Sequence, residues 1–239
     1  MAGRLAGRAD LEVTLSLAGR TASPAKQPVP VRVGGFGGVA GLADYLMRER
    51  VDVLIDATHP YAAIISANAA AAARQSRVPL VALRRPAWPA VAGDRWVEVG
   101  DVREAVAALG QTPRRVFVAL GRNELAPFCD APQHHYLIRS VDPVEPPLPL
   151  RQASYVTGRG PFSEASDRAL LIEHRIDGII AKNSGGSATY GKIAAARALD
   201  IEVVMVRRPP PPDGLAVETV EAAVAWLDHA LTSATARGV

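Results

Sequence analysis

The chain has 239 residues, 49% hydrophobic and 21% charged, enough to build one large core or two small ones and too apolar for a disordered polypeptide. A formal charge of +3, arginines outside runs and 5% aromatics leave no basis for a nucleic-acid surface. One cysteine, Cys129, excludes an intrachain disulfide and fits a reducing compartment; with no signal-peptide core and no apolar stretch of about 18–20 residues, the expectation is a cytoplasmic, monomeric, membrane-free protein.

Short Val-, Leu- and Ile-rich runs bounded by Gly, Pro or polar residues predict strands at 13–17, 31–33, 53–55, 80–83, 116–120, 136–138, 155–157, 178–181 and 203–206. Alanine-rich amphipathic stretches predict helices at 41–50, 62–74, 102–109, 163–174, 189–199 and 220–231. Strands alternating with helices give an α/β fold with mostly parallel sheets.

Two segments share a plan. "RVDVLIDATHPYAAIISANAAAAARQSRVPLVALRRP" starts at Arg50, and "RIDGIIAKNSGGSATYGKIAAARALDIEVVMVRRP" starts at Arg175. Each reads Arg-aliphatic-Asp, strand, special loop, Ala-rich helix, strand, Arg-Arg-Pro. This is either an internal repeat or the convergence of two ordinary βαβ units. The repeat implies two Rossmann-like domains with an interdomain cleft: residues 1–110, and residues 111–239 beyond a "GQTP" linker. A stiff "RRPPPPDG" connection delivers the last helix, expected to pack across the interface. The opening "AGRLAGRADLEVTLSLAGR" reads as a helix tail running into a strand. A Rossmann half begins instead with a strand and a Gly-rich turn, so the fold either starts differently or begins upstream.

Several motifs fall at carboxyl ends of strands, where open α/β sheets bind ligands. "GGFGG" supplies Gly35, Phe36, Gly37 and Gly38 between a strand and a helix, which suits either close approach to a ligand or a tight turn. The carboxyl end of strand 13–17 shows Ser16, Arg20 and Thr21, with no acid to hold a ribose 2′-hydroxyl. An arginine there favours the 2′-phosphate of NADP(H); a solvated arginine is the alternative. In "LIDATHPYA", Thr58, His59 and Tyr61 end another strand, and His59 serves either as a donor or proton carrier or as a structural loop residue. "KNSGG" is not a phosphate loop of the ATPase type, because its lysine precedes the glycines. Lys182, Asn183, Ser184, Gly185 and Gly186 instead offer a point charge and donors at a helix start. Arg122, Arg139, Arg159 and Arg208 fall at similar strand ends, as for an anion with many carboxylates. No metal-ligand spacing occurs.

Taken together, "SLAGR", "GGFGG", "IDATHPYA", "ANAA", "LRRPAW", "RSVDP", "GRGPF" and "KNSGG" resemble the precorrin-6A reductase family of cobalamin biosynthesis over nearly the whole chain. The resemblance implies an NADPH-dependent oxidoreductase with two Rossmann-like domains that passes hydride to a polycarboxylate tetrapyrrole, giving precorrin-6B. It implies NADPH against Ser16, Arg20, Thr21, the "GGFGG" loop and Thr58, and substrate carboxylates on the basic strand ends. His59 or Tyr61 is then the expected proton donor. The family opens with a strand and a "GGT-E" loop that this chain lacks, so its native start is expected upstream. Two alternatives stand beside this reading: an NADP-dependent reductase of a smaller anion, and a non-catalytic nucleotide-binding module.

Overall fold

The computed structural model describes residues 1–19 and 24–235. The chain forms two compact units, Met1–Arg85 with Pro209–Val239, and Pro86–Arg208. Both crossings fall in the Arg-Arg-Pro triplets.

The first unit contains α1 (Ala2–Leu5), β1 (Leu15–Leu17), β2 (Val31–Val33), α2 (Gly38–Arg48), β3 (Leu54–Asp56), α3 (Ala63–Ser76) and β4 (Leu80–Leu83). The second contains β5 (Trp96–Val99), α4 (Val102–Ala108), β6 (Arg115–Ala119), β7 (His135–Ser140), β8 (Ala153–Thr157), α5 (Glu164–Glu173), β9 (Gly178–Lys182), α6 (Gly191–Ala198) and β10 (Glu202–Val206). The chain then returns to the first unit with β11 (Ala216–Val217) and α7 (Val220–Thr235). The described strand pairs are all parallel. The second unit has one sheet, ordered β5-β10-β9-β6-β7-β8, and the first has β1-β2 and β11-β4-β3.

Parallel strands covered on both faces need continuous apolar runs. Val116, Phe117 and Val118 of β6 and Ile179, Ile180 and Ala181 of β9 are wholly buried. Phe117, Leu137, Ile179 and Met205 meet Leu171 of α5 and Ile193 of α6 on one face. In the first unit, Leu42 and Leu46 of α2 pack against Ala69 and Ala72 of α3, whose small side chains let the helices approach.

The two similar segments are built alike. Arg50 and Arg175 both adopt φ 51°, and Arg77 and Asp200 adopt 59° and 54°. Each residue follows a helix whose end is closed by a 6→1 bond. Val51 N donates to Leu46 O (2.9 Å), Ile176 N to Leu171 O (2.9 Å), Val78 N to Ala73 O (3.0 Å) and Ile201 N to Ala196 O (2.9 Å). These are Schellman closures with a non-glycine residue in the left-handed position. Four matching closures at matching places support a structural repeat over convergence.

Two expectations about domain limits need correction. The boundary expected near residue 110 lies inside the second unit, between α4 and β6. Its cause is β5, an unforeseen strand whose Trp96–Val99 pair in register with Val203–Val206 of β10. The last helix belongs to the first unit. α7 packs on β4 and β11 of the first unit, and Arg8 reaches its Asp228 at 3.0 Å.

Candidate functional site

In the first unit, residues 34–38 link β2 to α2. Gly34, Gly37 and Gly38 have φ of 118°, 81° and 85°, and a Cβ placed on Gly34, Gly35, Gly37 or Gly38 would meet nothing within 4 Å. The loop therefore presents bare backbone to open space. Arg32 holds it from behind, donating to Gly34 O (2.6 Å) and Gly35 O (2.9 Å), with its guanidinium 3.8 Å from the Phe36 ring centroid. Phe36 also packs on Tyr45, so much of its surface is taken by the fold. A Cβ on Gly41 would fall 1.7 Å from Phe36 O, so glycine is required there. The first turn of α2 has no side-chain cap and no acid, which leaves donors and the positive end of the helix dipole for an anion. Ser16 lies exposed in the middle of β1, while Arg20 and Thr21 lie outside the described residues.

The loop after β3 is organised by Asp56, which is buried. Its Oδ2 accepts from Arg84 (2.7 Å) and its Oδ1 from the Thr58 N–H (3.0 Å). Thr58 Oγ1 lies 3.0 Å from Ser66 Oγ of α3. The strand end is thus pinned, and the rest of the loop turns outward. There the Tyr61 N–H donates to His59 Nδ1 (3.3 Å), and the two rings lie 5.6 Å apart. With Nδ1 accepting, the neutral ring carries its proton on Nε2.

In the second unit, residues 183–190 link β9 to α6. Lys182 is ion-paired with Glu124, which follows the neighbouring strand β6. Asn183 is buried; its Oδ1 accepts from Trp88 N (2.8 Å) and its Nδ2 donates to Trp88 O (2.9 Å). Arg208 donates from Nε to Asn183 O (2.7 Å) and from a terminal nitrogen to Pro86 O (3.2 Å). Gly185 and Gly186 have φ of 68° and 70°. Gly186 and Ser187 are exposed, Ser184 is half-buried, and Gly185 is covered.

The basic strand ends divide into two groups. Arg122 and Arg159 are exposed. Arg139 is half-buried, paired with Asp167 at 2.5 Å and sandwiched between Phe162 (3.7 Å) and Phe117 (4.8 Å). Beside it Lys192 is 3% exposed and donates to Thr189 O (2.6 Å). Burial, with the Arg139 cation adding to it, pulls the Lys192 ammonium down to about 7. Sequence reasoning missed Glu124, Asp167, Lys192 and Trp88. The acid in "GRNE" was the one visible cue, since it interrupts a basic strand end. Among the described residues no group of three or more His, Cys, Asp or Glu could hold a metal ion, and no helix is long and apolar enough to cross a membrane.

A family model described as precorrin-6x reductase CbiJ/CobK matches residues 1–228. The chain is 54% identical to a precorrin-6A reductase of Sinorhizobium sp, over 98% of this chain and 90% of the relative. It is 52% identical to the precorrin-6A reductase of Rhodobacter capsulatus, over 95% and 90%. A solved structure of CobK precorrin-6A reductase superimposes with a TM-score of 0.91 at 49% identity, covering 96% of this chain and 91% of the other.

Proposed function

The chain belongs to the precorrin-6x reductase CbiJ/CobK family, and on that premise we propose that it reduces precorrin-6A to precorrin-6B in cobalamin biosynthesis, with NADPH as reductant. The match across residues 1–228 carries this reading.

The first unit fits a dinucleotide. Its 34–38 loop is open to a ligand at four glycine positions, is stiffened by Arg32 and leads into an uncapped helix. Backbone donors without a competing acid are the chemistry a pyrophosphate needs. In this reading Ser16, Gly35, Gly37, Gly38 and Thr58 contact the cofactor, with Arg20 and Thr21 toward the 2′-phosphate. NADPH, when bound, supplies the hydride. The protein's part is to hold the reducible bond against the donor carbon and keep water out.

Arg122, Arg159, Lys182, Ser184, Gly185, Gly186 and Arg208 serve the acetate and propionate arms of the substrate. Arg139 and Asn183 act from beneath, through Asp167 and Trp88. His59 Nε2 is the proposed proton donor to the macrocycle, steadied through Nδ1 by the Tyr61 N–H. Tyr61 is the second candidate.

The test follows nicotinamide absorbance with precorrin-6A, using NADPH and NADH in parallel. Oxidation of NADPH with formation of the dihydro product is expected. Arg20→Ala should raise the NADPH KM about tenfold or more, as for loss of a charge-assisted hydrogen bond, and leave that for NADH nearly unchanged. NADPH binding without turnover would favour a smaller anionic substrate. If His59→Ala and Tyr61→Phe both keep wild-type turnover, bound solvent replaces them as donor.

A further inference from the structure

We propose that Trp88 is a positioning residue for the 183–187 loop, and that it aims the Ser187 N–H outward as a donor to a carboxylate of the substrate. This rests on the reading of that loop as part of the substrate site.

Trp88 stands 95 positions before Asn183, yet it touches the loop at its start, its middle and its far side. At the start, the buried Asn183 carboxamide grips the Trp88 backbone through both its acceptor (2.8 Å) and its donor (2.9 Å). In the middle, the indole Nε1–H donates to Gly186 O at 2.7 Å. On the far side, the indole meets the Tyr190 ring edge-on at 5.5 Å, and Lys192 Nζ lies 4.9 Å from its centroid. The chain beside Trp88 presses equally close: a Cβ on Gly185 would fall 2.1 Å from Pro86 O.

The hydrogen bond to Gly186 O has a directional consequence. In a trans peptide the C=O of one residue and the N–H of the next point opposite ways. Holding the Gly186 carbonyl toward the indole therefore turns the Ser187 N–H away from it. Ser187 is exposed, which leaves room for that donor to face solvent. The left-handed conformations of Gly185 and Gly186 place this peptide, and the indole is what fixes its rotation. Without that bond the Gly186–Ser187 peptide unit can flip, and the carbonyl would then face an incoming anion.

The deciding variant is Trp88→Phe, which keeps an aromatic ring on the Tyr190 side and removes the N–H together with the pyrrole part of the indole. Steady-state kinetics on the full chain should give a precorrin-6A KM raised about fivefold, with kcat and the NADPH KM held, as for one net hydrogen bond. A purely structural role would lower the melting temperature and leave this split absent, so an unchanged precorrin-6A KM overturns the proposal. Should Trp88→Phe fail to fold, the wild-type chain labelled with ¹⁵N-serine decides, the Ser187 amide being assigned by its loss in Ser187→Ala. Precorrin-6A at saturation should shift that amide, and an unmoved signal refutes the assignment. A wild-type chain that does not turn over precorrin-6A refutes the functional reading itself, and the proposal falls with it.

Discussion

Replacing Lys192 with methionine should remove a pH dependence of stability that this side chain imposes. Lys192 lies 3% exposed in α6 with one hydrogen bond, to Thr189 O at 2.6 Å. The charged groups facing it are Arg139 on β7, which disfavours its proton, and Asp167 on α5, which favours it; desolvation, the largest cause, acts with Arg139 against Asp167 and brings the group from 10.5 to about 7. The folded chain therefore binds this proton less tightly than the unfolded chain. Below pH 7 both states carry it, and the penalty is constant. Between about pH 7 and 10.5 only the unfolded state does, so stability climbs with pH, at up to about 1.4 kcal/mol per unit. The whole shift sets a ceiling of about 5 kcal/mol. Urea unfolding of a Trp226→Phe background, whose remaining Trp88 and Trp96 both report the second unit, measures this between pH 7 and 9. Subtracting the Lys192→Met curve removes every other titrating group. Met is expected to be the more stable at pH 7, since a buried charge gives way to an apolar chain. The wild type should regain about 2–3 kcal/mol on that difference by pH 9. A difference that stays flat across the window refutes the reasoning.

Arg139→Met should destabilise the second unit by about 3–5 kcal/mol in thermal melts, because it leaves the buried Asp167 carboxylate without its cation. Arg50→Gly and Arg175→Gly should each stabilise by up to about 1 kcal/mol in urea titrations, since the left-handed position penalises a side chain and glycine's unfolded entropy offsets only part of that. Glu124→Gln should lower the KM for the anionic substrate about threefold to tenfold at low salt and lose that gain at high salt, because Lys182 is then no longer neutralised.

The alternation of strands and helices was legible because buried parallel strands must be apolar throughout. Val116–Val118 and Ile179–Ala181 advertise themselves in any reading. β5 did not. It is an edge strand, Glu98 and the exposed Val97 break its apolar run, and only pairing with β10, over 100 residues later, makes it a strand. Missing β5 moved the expected boundary, although both Arg-Arg-Pro triplets had been noticed and are the actual crossings. The residues proposed to face ligands were legible as types at strand ends, but their partners in the fold were not. Nothing local ties Trp88 to Asn183, Asp167 to Arg139 or Glu124 to Lys182. Arg139 looked like Arg122 and Arg159 in sequence; its stacking between two phenylalanines separates them.

The lysine that precedes the glycines can now be understood from the sheet. β9 lies beside β6, so the turn after β6 passes over the end of β9, and Glu124 in that turn meets Lys182. The other lysine of the segment, Lys192, follows the glycines but is driven into the interior and toward neutrality. Each potential point charge is thus countered, one by an acid and one by desolvation. Under the proposed function, what the loop offers an anion beside the partly neutralised Lys182 is mostly backbone: a glycine pair with positive φ, an uncapped helix start and peptides rotated by Trp88 and Arg208. Such a site selects by direction more than by charge. That suits a macrocycle whose many carboxylates would otherwise bind in any orientation, only one of which brings the reducible bond to the hydride.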